Sequence, residues 1–369
     1  MKGRFYLIDC MRSVMIVIVF AHAFEGHHID ALFEWMPAPI RFIIHNGQWA
    51  VGLFFVISGF VIMHNLADRE IDTSISWRFL ARRSIRLDPP YWFAIGLMIT
   101  FAWLSYKFVP GKESPNFTLG QILSHFFYAQ TILGYEHIDP AYWTLCYEFQ
   151  FYISIVLLLL VGRASPIHPN GKITRVLIIG VSIFTALWPL RLAFPVPSWA
   201  FLPYAYLFML GINAYWASRV PAIRPWFVGY ALVLAIGGIF TRDDFATFCA
   251  LSSLFLLFMA TNNRLEVGKN WHVLLFLGKV SYSVYLTHNP ITAAVFRVGF
   301  MITGRNVATE LLWLTVDVIV CVTVGFLMWK AIEWPSTELA RRVKLTNRQG
   351  RSSESRKQRN GTQGDADGS

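Results

Sequence analysis

Stretches of about 20 apolar residues recur along most of this chain, and each is long enough to cross a lipid bilayer as an α-helix. Hydrophobic residues make up 55% of the 369 residues and charged residues only 15%. Soluble domains carry about 25% charged residues, so this composition does not suit a surface that faces water. The sequence therefore predicts an all-α, polytopic membrane protein with about ten transmembrane helices in one bundle.

The predicted spans are separated by connections whose charge alternates. The spans cover residues 5–24, 47–66, 90–109, 143–162, 173–193, 200–217, 226–241, 246–261, 276–299 and 310–332. Lys and Arg concentrate in the even-numbered connections, which predicts by the positive-inside rule that both termini are cytoplasmic. We expect a membrane domain over residues 1–340. Because residues 341–369 lack the apolar residues needed for a core, they predict a disordered basic tail, which rests on anionic membrane lipid.

Three other interpretations of the composition are disfavoured. The net charge of +10 comes from Lys and Arg between the spans and in the tail, so no nucleic-acid partner is expected. The four cysteines lack paired spacing and predict neither a disulfide framework nor a metal site. The N-terminal segment imitates a signal peptide, but Asp9 and Arg12 interrupt its apolar core. We therefore expect this segment to be retained as the first helix.

Ionisable residues within the spans are the first candidates for a functional site, because they are costly in a bilayer. Asp9 and Arg12 lie one helical turn apart, as in an ion pair that fixes helix packing. His22 and Glu148 lie near the outer ends of two different spans. An imidazole beside a carboxylate suits a general base, although a packing histidine and a Glu–Arg pair remain open alternatives.

Two further segments place polar groups at a membrane end or in mid-membrane. Arg82, Arg83 and Arg86 precede an aromatic run at the predicted inner mouth of span three. They fit either a topology signal or a clamp for phosphate groups. In span nine, Ser281 and His288 are seven residues apart and share a helix face, which favours a cavity lining over a lipid-facing surface.

Six segments carry motifs that follow one another in a definite order. They are Asp9-x-x-Arg12 with His22, and residues 52–60, 79–86 with 89–92, 143–152, 278–290 and 333–335. Together they resemble the membrane-bound acyltransferase-3 family, which O-acylates bacterial polysaccharides, lipid-linked sugars and small molecules. The family usually places ten residues between the first-helix Arg and His, whereas this chain has nine. Eleven α-helical steps bring two side chains nearly to one face, while ten leave them about 80° apart.

The resemblance implies transfer of an acyl group, by default acetyl, from acyl-CoA to a carbohydrate hydroxyl at a bacterial-type plasma (inner) membrane. It implies that His22 is the base, with Glu148 and Arg12 as the other catalytic candidates. It also implies a binding site for acyl-CoA, whose candidate residues are Arg82, Arg83, Arg86, Tyr91 and Trp92. Second-rank candidates for the substrate pocket are Ser58, Tyr152, Ser281, Tyr282 and His288.

A transporter of a small anionic or sugar-like solute is the alternative interpretation, since transporters also keep polar residues on broken helices in mid-membrane. Inverted repeats would favour that class, and the sequence shows no internal repeat. The identity of the acceptor and the choice between acetyl, succinyl and longer acyl groups are left open.

Overall fold

The computed structural model describes residues 5–67 and 69–345, and every named element in these ranges is a helix. In chain order, the α-helices are α1 (Tyr6–Arg12), α2 (Ile16–Glu25), α3 (Asp30–Trp35), α4 (Ala38–His45), α5 (Trp49–Leu66), α6 (Thr73–Phe108), α7 (Leu119–Phe126), α8 (Trp143–Gly162), α9 (Lys172–Ala186), α10 (Leu202–Arg219), α11 (Arg224–Thr241), α12 (Asp244–Thr261), α13 (His272–Thr303), α14 (Val307–Met328) and α15 (Trp334–Arg342). Short 3₁₀ turns lie between some of them, and a π-helical turn joins α14 to α15. Residues 346–369 of the predicted tail lie outside the described residues.

Six helical segments of the described chain are long and apolar enough to cross a membrane. They are Tyr6–Glu25, Trp49–Leu66, Pro140–Gly162, Pro221–Thr241, Asp244–Thr261 and Val307–Arg342. The other four predicted spans also fall on helices, but α9 has only 15 residues and α6, α10 and α13 carry more polar side chains. The structure thus supports a polytopic helical membrane protein without confirming ten crossings.

Helix α6 joins the predicted arginine-rich connection to span three in one piece. Asp72 caps its N-terminus by accepting a hydrogen bond from the Ile75 amide at 2.7 Å. The helix then runs for 36 residues through Pro89 and Pro90, a length of about 54 Å. The arginines predicted in a connection therefore lie on a continuous helix and share its geometry.

The first predicted span consists of α1, a 3₁₀ turn over Ser13–Met15, and α2, and it packs along α13. The approach is closest at Gly278, where a Cβ atom would collide with the backbone carbonyl of Asp9. A small residue is required there because the two backbones touch. Farther along the same pair of helices, His22 lies beside His288.

The core of the bundle is built where α5 crosses α10. Gly59 lies against the backbone of Phe208, and Gly211 lies against the backbone of Val56. Reciprocal small residues let the two helices approach closely, as is common in membrane bundles. Helix α15 folds back and packs against α6. That contact brings the C-terminal helix to the arginines of α6.

Candidate active site

A cavity of about 620 Å³ opens between α1, α5, α6, α8, α13 and the segment leading into α15. This volume lies in the range of small-molecule and cofactor sites. Six basic residues line it, namely Arg12, Arg82, Arg83, Arg86, Lys279 and Arg341. Four acidic residues line it, namely Asp9, Glu148, Glu333 and Glu338. The excess of positive charge suits an anionic ligand.

Two of the arginines each have a buried guanidinium nitrogen that lacks a hydrogen-bond partner within the described protein. Nη2 of Arg83 and Nε of Arg86 are buried and make no hydrogen bond to any described residue. The Arg83 guanidinium lies over the rings of Phe79 and Tyr152, at 5.3 and 5.2 Å from their centroids. Stacking of this kind fixes the orientation of the guanidinium plane. Both arginines can therefore donate to an acceptor that enters the cavity.

Glu148 lies in the cavity and is held by two hydroxyl groups. Ser58 Oγ donates to Glu148 Oε1 at 3.0 Å, and the Tyr152 hydroxyl donates to the same oxygen. Tyr152 in turn lies under the Arg83 guanidinium. The carboxylate therefore belongs to a cluster that includes an arginine, which it reaches through Tyr152. The structure contains no hydrogen bond between Glu148 and His22, although both residues are described.

The C-terminal segment supplies cavity residues that the sequence did not predict. Glu333 is buried and accepts a hydrogen bond from Ser283 Oγ at 2.6 Å. Lys279 Nζ lies 5.3 Å from the centroid of the Trp329 ring. In the sequence, only the E-x-P motif at residues 333–335 pointed to this part of the site. The motif did not indicate which helix α15 contacts.

The predicted site residues on α6 and α13 separate into two groups. Arg82, Arg83, Arg86, Ser281 and Tyr282 line the cavity, together with Ser58 and Tyr152 from other helices. Tyr91 and Trp92 lie elsewhere. Tyr91 is fully buried and stacks on Tyr128, whereas Trp92 is 43% exposed and donates to the Phe126 carbonyl at 3.4 Å. These two aromatic residues do not border the space that the arginines face.

His22 is not among the residues that line the cavity, and it lies near the end of α2. Its ring meets the ring of His288 edge-on, with 5.4 Å between centroids and 80° between planes. His288 is buried, and its Nδ1 lies 2.8 Å from the Tyr285 carbonyl oxygen. The hydroxyl of Tyr285 donates at 2.7 Å to the carbonyl of Ala141, in the 3₁₀ turn that precedes α8. His22 thus meets His288, which is itself held by the backbone of α13.

The 3₁₀ turn at Ser13–Met15 compensates for the short spacing between Arg12 and His22. A 3₁₀ helix rises about 2.0 Å per residue and turns about 120°, against 1.5 Å and 100° for an α-helix. Replacing three of ten α-helical steps gives a rise of about 16.5 Å and leaves about 20° between the side chains. Eleven α-helical steps give the same rise and leave about 20° in the opposite sense, so the two geometries differ by about 40° in orientation. Arg12, which lies 3.9 Å from Asp9, faces the cavity.

A buried polar pair lies next to His288 along α13. Asn289 Nδ2 donates to Asp139 Oδ1 at 2.6 Å, and this oxygen also accepts from the Ala141 amide. Burial raises the pKa of Asp139 to about 6, while these hydrogen bonds oppose the shift. The connection between α7 and α8, which contains Asp139, is fixed further by His125. Nε2 of His125 accepts a hydrogen bond from the Ile138 amide at 3.0 Å. Burial lowers the pKa of His125 to about 4, so its imidazole is neutral at pH 7.

Within residues 5–67 and 69–345, no group of three or more His, Cys, Asp or Glu side chains is arranged to hold a metal ion. The polar groups fall into two layers along α13. One layer is the cationic cavity, and the other is the histidine pair about two helical turns from Ser281.

Comparisons with known proteins bear on the family of the chain. A family model described as an acyltransferase domain matches residues 5–330, which is most of the chain. The exopolysaccharide production protein ExoZ of Rhizobium meliloti (strain 1021) is 27% identical over 270 residues, which cover 69% of this chain and 80% of ExoZ. No solved structure matches the chain.

Proposed function

The chain belongs to the acyltransferase-3 family, and from that premise we propose that it transfers an acyl group, acetyl by default, from acyl-CoA to a hydroxyl of a sugar or polysaccharide precursor. The observation that carries the proposal is the cationic cavity, because the phosphates of coenzyme A are the kind of anion that such a site selects. The name of the relative ExoZ supports a polysaccharide acceptor.

The donor site is assigned to the arginines of α6. Arg82, Arg83 and Arg86 hold the phosphates, and the unpartnered nitrogens of Arg83 and Arg86 are hydrogen-bond donors. The pantetheine arm follows the cavity along α13 toward His22. Glu148 limits the excess of positive charge within the cavity through Tyr152 and Arg83. In this proposal Glu148 serves the donor site and does not orient His22 directly.

The transfer needs one base. His22 takes the proton of the acceptor hydroxyl, and the oxygen attacks the thioester carbonyl. The attack forms the new ester carbon–oxygen bond, and the carbon–sulfur bond of the thioester then breaks. The proton passes from His22 to the leaving thiolate. No other group is consumed, so the products are the acylated sugar and free coenzyme A. General base catalysis of this kind is worth about 10²–10⁴ in rate.

The site is proposed to lie in a bacterial-type inner membrane, with both termini cytoplasmic. The donor then enters from the cytoplasmic end, where the predicted topology puts the arginines, and the acceptor reaches His22 from the opposite end. The positive-inside distribution of Lys and Arg supports this orientation.

Purified protein in vesicles, supplied with [¹⁴C]acetyl-CoA and de-O-acetylated exopolysaccharide, tests the function. Label on the polysaccharide, together with its loss in His22→Ala, is the expected result. Label that only crosses the bilayer identifies a transporter instead. Full transfer by His22→Ala removes His22 from the mechanism. Mass spectrometry of envelope sugars from cells with and without the gene then identifies the acceptor by the mass of the missing acyl group.

A further inference from the structure

His22 needs a partner for its second ring nitrogen if it is to act as a base. A catalytic histidine is usually held in one tautomer and one orientation by a neighbouring group. The carboxylate that the sequence offered for this purpose, Glu148, is hydrogen-bonded to Ser58 and Tyr152 instead. The side chain that does contact His22 is His288.

The tautomer of His288 follows from its own hydrogen bond. A backbone carbonyl can only accept, so the 2.8 Å contact with Tyr285 requires the proton of a neutral imidazole to be on Nδ1. Nε2 of His288 then carries a lone pair and can accept a hydrogen bond. The ring of His22 meets the ring of His288 edge-on, with 5.4 Å between centroids.

The position of His288 is fixed independently of His22. The next residue, Asn289, donates to Asp139, and Tyr285 one turn earlier is tied to the start of α8 through Ala141 and Thr144. The rings of Tyr285 and His288 are stacked, with 5.9 Å between centroids. The imidazole of His288 is therefore held from both sides along α13.

We propose that His288 is the positioning residue for His22, accepting at Nε2 the N–H of His22 so that the other nitrogen of His22 faces the acceptor hydroxyl. This inference rests on the proposed role of His22 as the base. In the structure the two rings meet edge-on without a hydrogen bond between them, and the hydrogen bond forms when substrate is bound, since catalytic hydrogen bonds are often long or poorly aligned in the free enzyme. His288 gains no proton in the reaction, because the proton of the acceptor passes through His22 alone.

Two isosteric substitutions separate this role from packing. His288→Asn keeps a donor near the position of Nδ1 but removes the acceptor, whereas His288→Gln puts an amide oxygen near the position of Nε2. Acetyl transfer from [¹⁴C]acetyl-CoA to de-O-acetylated exopolysaccharide is measured for both variants. We expect His288→Asn to lower kcat at least about tenfold with an unchanged KM for acetyl-CoA, and His288→Gln to remain within about threefold of the parent. Equal activity of the two variants, or greater activity of the Asn variant, overturns the proposal.

A double variant supplies a second measurement that does not depend on rescue. In a His22→Ala background, His288→Asn should cause no further loss, since residues that act through one another are not additive. An additional tenfold loss there means that His288 acts by itself and refutes the proposal. If His22→Ala is fully active, the base assigned under the proposed function fails, which is a different outcome from a normal His288→Asn enzyme.

Discussion

Arg83→Met offers the sharpest test of the donor site. The substitution keeps an unbranched side chain of similar length and removes the guanidinium that lines the cavity with an unpartnered nitrogen. Arg78→Met on the same helix is the matched control, because Arg78 does not line the cavity. Both variants lose one positive charge from α6, so a difference between them reports the position of the charge.

The expected magnitude follows from the contact that is lost. A hydrogen bond to a charged partner is worth about 1.5–3 kcal/mol, which corresponds to an increase in Kd of about 10- to 150-fold for acetyl-CoA. Arg83→Lys should lie between the parent and Arg83→Met, because lysine keeps the charge but loses the planar fork and its stacking on Tyr152.

The assay compares two donors that share the thioester. Equilibrium binding of [¹⁴C]acetyl-CoA gives the Kd of the whole donor. Competition by S-acetylpantetheine, which has no phosphate, gives the affinity for the acetylated pantetheine part alone. Arg83→Met should weaken acetyl-CoA binding and leave S-acetylpantetheine affinity within about twofold. If both donors lose affinity equally, Arg83 supports the cavity structurally. If neither does, the arginines of α6 are topology signals and the donor site lies elsewhere.

Three further predictions concern the framework of the site. Gly278→Ala should lower the unfolding free energy by about 1–3 kcal/mol in thermal unfolding, because the new Cβ meets the Asp9 backbone, whereas Gly96→Ala, with open space around it, should not. Asp139→Asn should stabilise the protein at pH 8 and have little effect at pH 4. The acid has a folded pKa of about 6 against 3.8, so its ionisation costs up to about 3 kcal/mol as pH rises through that interval. An equal effect at both pH values contradicts this. Inserting one alanine after Val14 should preserve acetyl transfer, since eleven α-helical steps keep the present rise and an orientation within about 40° of the present one, whereas deleting Val14 should abolish it.

Hydropathy and length predicted the helices well, because a bilayer allows few other structures. Each of the ten predicted spans falls on a helix, but only six meet the length and hydropathy expected of a crossing. The exact role of α6 was not predictable from charge alone. A run of arginines followed by two prolines was interpreted as a connection, yet Pro89 and Pro90 are accommodated within one helix.

Several residues that the sequence proposed for the site line one cavity, but their grouping was not predictable. The sequence predicted that His22 and Glu148 lie at a similar depth. Depth depends on distance along each helix, and it does not determine which faces of the two helices meet. Tyr91 and Trp92 follow the arginines in sequence, but nine steps from Arg83 to Trp92 rotate the side chain by about 180°. Glu333 reaches the cavity only because α15 folds back on α6, which is a tertiary contact without a local signal.

The 3₁₀ turn at Ser13–Met15 also bears on how relatives of this protein can be found. A search template that demands a fixed spacer between the first-helix arginine and histidine rejects this chain, although the turn restores the axial separation of the two groups. A single deletion in such a helix can be absorbed by tighter winding over one turn, so spacer length is a poor criterion for membership. Templates for helical motifs should score the accumulated winding between two groups and tolerate the loss of one residue.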